Sequence, residues 1–403
     1  MIRALAGALV RRSTEASLNS LFENISLRLS KEWRSRNLPR HGHSYRCQCG
    51  RPVFFLNSKC LACGAALGYE PGVAEVRTLL PAGEGLWQLA GQTDSPRNYR
   101  RCANFDSPAG CNWLVSAEES TPHCASCRLN RTIPDLNDAD NQRYWRAIEN
   151  AKRRLVAQLL SLGLPVKSKV EDDPTHGVAF DLLRSPAAGS RVLTGHANGL
   201  ITLNIQEADD AQREQIRHAM REPYRTLLGH FRHEIGHYYW DRLIVGTHWH
   251  EPFRQVFGDE QADYSAALKA NYENGPPSDW PNRFISSYAS THPWEDWAET
   301  WAHYLHTYDS LDTALGFGLT ADDVELQLEP FSMADLYDPQ HPDAKRFLDL
   351  LNSSLELITV LNELARSLGQ PDIYPFVLSR PVVRKLHFIQ LVVTDVRQHG
   401  TVQ

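Results

Sequence analysis

The sequence predicts an α+β protein, with a small cysteine-bearing module near the N-terminus followed by a mostly helical domain with a small sheet. Three observations predict this. All eight cysteines fall between Cys47 and Cys127, and none follows in the remaining two thirds of the chain. Beyond residue 140, apolar residues recur at helical spacing over several long stretches. Between those stretches, 178–183 and 191–205 read as short strands.

A chain of 403 residues has room for two or three domains and a substantial core. The expected division is an extension over 1–40, helical or disordered, a cysteine module over 41–135, and the larger domain over 140–403. Apolar content of 42% and charged content of 22% are ordinary for a globular protein. A net charge of −6 argues against a nucleic-acid-binding surface. No apolar run approaches the roughly 20 residues of a membrane span, so no membrane association is expected. The opening 22 residues are basic with a short apolar patch, but 2–10 makes a poor signal core without a clear cleavage site. A cytoplasmic location is expected.

In the cysteine module, Cys47-x-Cys49 is followed after ten residues, the first of them Gly50, by Cys60-x2-Cys63-Gly64, and Cys102-x8-Cys111 after twelve by Cys124-x2-Cys127. Closely spaced cysteines form a turn that presents two thiolates to one tetrahedral ion, and two such pairs close a four-sulfur site. Gly50 and Gly64 suit the backbone turn. An even count also fits a disulfide framework. Tight pairs without a secretory signal favour metal, so two structural zinc sites are expected, each closed to solvent chemistry and each organising a segment with little core of its own. Such ribbons bind proteins or nucleic acids, and a protein partner is the expectation here. Arg100, Arg101, Arg128 and Arg131 form either a modest basic patch or a solvated face. The stretch 68–100 is rich in Gly and Pro and reads as loops.

The segment 141–162 has Trp145, Ile148, Leu155, Leu159 and Leu162 on one helical face, and Gly163 and Pro165 end it. The strand at 191–205 is interrupted by Ala197-Asn198-Gly199, a turn or bulge. His196 either lies near the candidate site or is a turn histidine with satisfied hydrogen bonds, and the second reading is favoured. A strand placed before the next helix is positioned to pair with an extended peptide. A polar helix continues to about residue 217, and Glu222-Pro223 marks the entrance to the next, with Pro223 in its first turn.

That next helix, 227–244, contains His233-Glu234-Ile235-Gly236-His237. On a helix, His233 and His237 stand one turn apart on one face, so both imidazoles reach one ion, with Glu234 close enough to act on a water. The alternative is a polar helix with two solvated histidines. Leu227, Leu228, Phe231, Ile235, Tyr238, Tyr239 and Leu243 make the helix apolar at helical spacing, which argues for burial. Buried histidines and a buried glutamate need partners, and a metal supplies them.

A catalytic zinc takes a third protein ligand. Six residues after His237, where a third histidine would fall in one such family, stands Leu243. The helix opened by Pro293 offers a carboxylate instead. Trp294, Trp297, Trp301, Leu305 and Tyr308 form its apolar stripe, with Glu295, Glu299, His303 and His306 on adjoining turns. Like charges at i, i+4 cost about 0.2–0.5 kcal/mol unless compensated, and a dication with its histidines would compensate. Glu295 is assigned to the metal and Glu299 to a histidine's other ring nitrogen. Asp296 and Glu299 remain alternative ligands, with His248, His250, His292 and His303 behind them. Helices are expected over 311–317, 343–368 and 380–397, packed behind the site.

The spacing Tyr288-x6-Glu295-x3-Glu299 is similar to the second ligand helix of anthrax-lethal-factor-type peptidases, in which the tyrosine stabilises the transition state and the first glutamate ligates zinc. More broadly, CQCG, CLACGAALGYEP, CNWLV, CRLNRTIPDL, LTGHANGLITLNIQEADD, EPYRTLLGHFRHEIGHYYWDRL and SSYASTHPWEDWAETWAHYLH resemble bacterial zinc-binding metallopeptidases with an N-terminal zinc-ribbon region. The resemblance implies a gluzincin-like fold, one catalytic zinc on His233, His237 and Glu295, Glu234 as general base, Tyr288 as transition-state donor, and a peptide or protein substrate. Two other readings use the same residues: a ribbon-based binding module on an inactive scaffold, and a zinc hydrolase of a non-peptide amide or ester.

Overall fold

The computed structural model describes residues 43–400 except 93–95, 187–188, 190, 221, 320–325, 327 and 329–330. The extension expected over 1–40 lies outside the described residues. The cysteine region opens with a two-stranded antiparallel hairpin, β1 (Tyr45–Arg46) and β2 (Pro52–Val53). The first cysteine pair sits in its turn, where Gly50 takes a φ of 81° that a side chain would disfavour.

A five-stranded antiparallel sheet follows, in chain order: β3 (Leu67–Glu70), β4 (Glu75–Pro81), β5 (Trp87–Leu89), β6 (Tyr99–Arg101) and β7 (Leu114–Ser116). This corrects the loops expected over 68–100. The glycines and prolines of that stretch sit mostly in short turns, while Val76 and Thr78 on β4 alternate inward between them. Gly68 itself lies within β3, where a Cβ would come 2.7 Å from the Leu114 side chain.

A mixed four-stranded sheet has the order β10-β11-β9-β8, formed by β8 (Asn130–Thr132), β9 (Ala179–Leu183), β10 (Gly195–Ala197) and β11 (Leu200–Asn204). β8 runs parallel to β9, which requires a long crossover, and helix α1 (Ala139–Ser161) supplies it. The Asp138 side chain caps α1 by accepting from the amides of Asp140 and Asn141. The strand expected over 191–205 is a hairpin of two short strands: Asn198 and Gly199 both have positive φ, 50° and 75°, as a two-residue hairpin turn demands.

The remaining helices are α2 (Asp210–Met220), α3 (Leu227–Leu243), α4 (His250–Phe257), α5 (Tyr264–Asn274), α6 (Pro293–Gly316), α7 (Ala344–Ser367) and α8 (Arg380–His399). Thr226 caps α3, its hydroxyl accepting from the Gly229 amide. Pro223 therefore lies before the cap rather than in the first turn. The helix expected over 311–317 is the end of α6, which runs unbroken for 24 residues because nothing in 307–315 terminates it.

Trp145 of α1, Phe231 and Tyr239 of α3, Trp297 and Trp301 of α6, and Phe388 of α8 share a continuous core with Tyr69 and Trp113 of the cysteine region. Each large aromatic removes about 150–250 Å² from water, roughly 4–6 kcal/mol before entropy is counted. Asp309 of α6 joins the parts further: His43 and Arg232 approach its two oxygens at 2.7 Å each.

Candidate metal centre

α3 presents His233 and His237 from successive turns, and their Nε2 atoms stand 3.1 Å apart. Glu295, in the first turn of α6, brings Oε2 to 3.0 Å from His233 Nε2 and 3.4 Å from His237 Nε2. Ligand atoms about 2.0–2.1 Å from a tetrahedral zinc ion lie about 3.3 Å from each other, so this triangle has the edge lengths of three tetrahedral corners. Glu295 is 2% exposed, and its Oε2 accepts no well-formed hydrogen bond although two ring nitrogens face it. Two nitrogen lone pairs and a carboxylate oxygen crowded together and buried are a poor hydrogen-bonded arrangement and a good donor set for a dication.

Further side chains fix the triangle. His233 Nδ1 donates to Glu299 Oε1 at 2.7 Å, which leaves Nε2 as a lone pair. Ser286 donates to the other oxygen of Glu299 at 2.6 Å. The Tyr264 hydroxyl donates to Glu295 Oε1 at 2.6 Å. The backbone helps too: Trp297 Nε1 donates to the Gly236 carbonyl at 2.9 Å, clamping α6 onto α3 between the two histidines.

Glu234 is buried on α3, and burial pushes its carboxyl above the ordinary value against the pull of His233 and His237. The Tyr288 ring lies 6.0 Å from that of His233. Burial, with the Glu295 charge nearby, pushes its hydroxyl far above the usual range, so it stays a proton donor. His196 on β10 stacks nearly parallel to His237 at 6.3 Å, and its Nε2 accepts from the Gly199 amide in the hairpin turn. Burial, with His237 nearby, pushes its pKa down to about 3.

The cysteines form two further clusters, Cys47, Cys49, Cys60 and Cys63, and Cys102, Cys111, Cys124 and Cys127. In the first, Cys47 and Cys63 sulfurs are 3.6 Å apart and those of Cys49 and Cys60 3.8 Å. In the second, Cys111 and Cys124 are 3.7 Å apart. Four sulfurs about 2.3 Å from a zinc ion stand about 3.8 Å apart, and all eight are free thiols. Backbone amides of Cys124 and Cys127 point at Cys102 and Cys124 sulfurs, each at 3.5 Å. The second cluster is wholly buried, while Cys49 and Cys63 of the first are exposed. Arg153 of α1 is buried, its Nη2 donating to the Ala109 carbonyl while Nε and Nη1 lack hydrogen-bond partners, and the charges of Cys111, Glu149, Cys127 and Cys124 act on it.

Residues 141–392 match the family described as "Putative zinc-binding metallo-peptidase", and residues 44–138 match a zinc-ribbon domain. The chain belongs to that metallo-peptidase family. Uncharacterized proteins of Mycobacterium tuberculosis strain H37Rv and of Mycobacterium bovis are each 45% identical to it over 350 residues, covering 86% of this chain and 94% of theirs. No solved structure matches it. No described helix is long and apolar enough to cross a membrane.

Of the other candidate ligands, Glu299 accepts from His233 Nδ1 instead, and the rest lie away from the triangle. Asp296 turns to the opposite side of α6 and pairs with Lys385 at 2.6 Å. His248 approaches Asp395, His250 pairs with Glu260, and His303 meets the Tyr374 hydroxyl. His292 caps α6, accepting from the Trp294 amide. The four arginines of the suggested basic patch are engaged internally: Arg100 with the carbonyl of Glu119, Arg101 with Leu67 and the Phe105 ring, Arg128 with Glu119, Arg131 with Asp181. Tyr264 and Ser286 carry no motif, and only the fold reveals them beside the site.

Proposed function

We propose that this chain is a zinc-dependent peptidase whose nucleophile is a water and whose general base is Glu234. The observation that carries the reading is the triangle of His233 Nε2, His237 Nε2 and Glu295 Oε2, with edges of 3.0–3.4 Å. Bound by these three side chains, zinc supplies Lewis acidity and brings the pKa of water down to about 7. The Glu234 carboxylate accepts the proton of the attacking water and returns it to the leaving amine. Its burial raises its carboxyl above the ordinary value, which makes it a stronger base than a solvated glutamate. Glu299 keeps the proton of His233 on Nδ1, and Tyr264 holds the outer oxygen of Glu295. Tyr288 donates a hydrogen bond to the carbonyl oxygen as charge builds there, a contribution of about 3–4 kcal/mol for one such donor. β10 is an outer strand of its sheet beside α3, and an extended peptide backbone pairs with it. The cysteine clusters hold two structural zinc ions.

Metal analysis of the full chain under mild chelation, together with the Glu234→Gln variant, tests this. The expected result is three zinc ions per chain with one released first. Glu234→Gln should keep all three and lose cleavage of a quenched fluorescent casein. A variant that cleaves at the wild-type rate overturns Glu234 as base. A wild-type chain holding only two zinc ions overturns the catalytic centre.

A further inference from the structure

Glu295 makes its bond to the site with one oxygen. The other, Oε1, determines where the first one points. The terminal torsion of a glutamate is broad and roughly two-fold, so a carboxylate with a free outer oxygen swings across a wide range. Here Oε1 accepts a 2.6 Å hydrogen bond from the Tyr264 hydroxyl, and among the described residues no other side chain donates to it.

Tyr264 is the first residue of α5, and none of the eleven residues of α5 is buried. Apolar packing therefore does not explain why α5 starts where it does. Polar contacts do. Asp263 caps the helix by accepting from the Ala266 amide. His292 accepts from the Trp294 amide at Nδ1, which places its proton on Nε2, and Nε2 donates to the Ala262 carbonyl at 3.0 Å. The Tyr264 ring stands edge-on to His292, 5.3 Å away, and to Trp294, 6.0 Å away. The cap of α6 thus holds the start of α5, and the start of α5 holds the carboxylate three residues into α6. Tyr288 also neighbours Tyr264, and each raises or lowers the other's hydroxyl pKa.

We propose that Tyr264 is a positioning residue for the zinc ligand Glu295, and that its hydroxyl sets the affinity of the centre for zinc. This rests on the zinc-peptidase reading above. Loss of a partner that orients a ligand typically weakens metal binding about 10–100-fold.

The experiment is a competition titration of the full chain against a chromophoric zinc chelator, for wild type, Tyr264→Phe, Tyr264→Leu and Tyr272→Phe. Wild type should release one zinc before the rest. Tyr264→Phe, which removes one oxygen and keeps the ring, should lose that zinc about 10–100-fold more readily and retain the cysteine-bound ions. Tyr272→Phe, an exposed tyrosine of the same helix, should match wild type and so tie the loss to position 264. If Tyr264→Phe holds the first zinc as tightly as wild type while Tyr264→Leu loses it, the ring matters and the hydroxyl does not, and the inference falls alone. A wild-type chain with no early-released zinc brings down the peptidase reading and this inference together.

Discussion

A Cβ added at Gly236 would lie 3.1 Å from the Cα of Ala298. Gly236 is the fourth residue of the His233–His237 motif and Ala298 follows Glu295 by three, so α3 and α6 approach closely beside the triangle itself. Gly236→Ala gains up to about 1 kcal/mol of helix propensity, yet overpacking costs about 1–3 kcal/mol. Where the two backbones cannot part, the second term wins. Thermal unfolding of the zinc-loaded variant should therefore show a lower Tm together with easier zinc release. A Tm at or above wild type would show that the helices separate without cost.

Tyr288→Phe should retain its zinc and lose turnover. Removing one donor to the developing oxyanion corresponds to about 3–4 kcal/mol, or roughly 10²–10³ in kcat. Steady-state rates on the labelled casein, set beside metal content, check this. Loss of zinc in the variant would make Tyr288 a structural residue instead.

Arg153→Met tests the second cysteine cluster. Four thiolates around a dication carry a net charge of −2, and Arg153 is a buried cation whose charge acts on Cys111, Glu149, Cys127 and Cys124. Taking one partner from a buried charge pair costs about 3–5 kcal/mol. The variant should give up a cysteine-bound zinc to a strong chelator well before wild type does. Equal release kinetics would reduce Arg153 to a space-filling role.

Glu207, which pairs with His230 one turn before His233 on α3, provides a pH dependence of its own. Burial alone would raise its carboxyl, but His230, Thr194 and Arg225 hold it down to about 2. A folded pKa below the unfolded value of about 4.5 adds stability that is complete above that value and disappears as pH falls from 4.5 toward 2. The shift corresponds to about 3 kcal/mol. Urea unfolding of wild type and Glu207→Gln should differ by that order near neutrality and converge below pH 4.5. A difference independent of pH would remove Glu207 from the account.

The sequence makes the helices of this chain easy to read and the short strands hard. α1, α3, α7 and α8 announce themselves through apolar periodicity over four turns or more, with a stop such as Gly163 after α1, while Pro223 obscures the Thr226 cap of α3. β3, β5, β6 and β7 have three or four residues each, too few for alternation to stand out from the Gly and Pro around them. The donor atoms of the centre follow a similar division. His233 and His237 are related by one helical turn and can be paired on paper. Glu295 is identifiable because a carboxylate pair on a tryptophan-rich helix needs a countercharge. Tyr264, Ser286 and the Gly236–Ala298 contact join distant segments through single atoms, and no local pattern encodes such a meeting.

β8 follows the last ribbon cysteine by only two residues, yet it is laid against β9 of the larger, C-terminal part of the chain. A chain trimmed to start at residue 140 would therefore lose more than an accessory. It would uncover one whole margin of β9, with its row of unsatisfied amides and carbonyls and a desolvated Asp181 deprived of Arg131. Such a fragment should stick to itself edge to edge. The shortest form of this chain that stays in solution would have to begin upstream of Asn130.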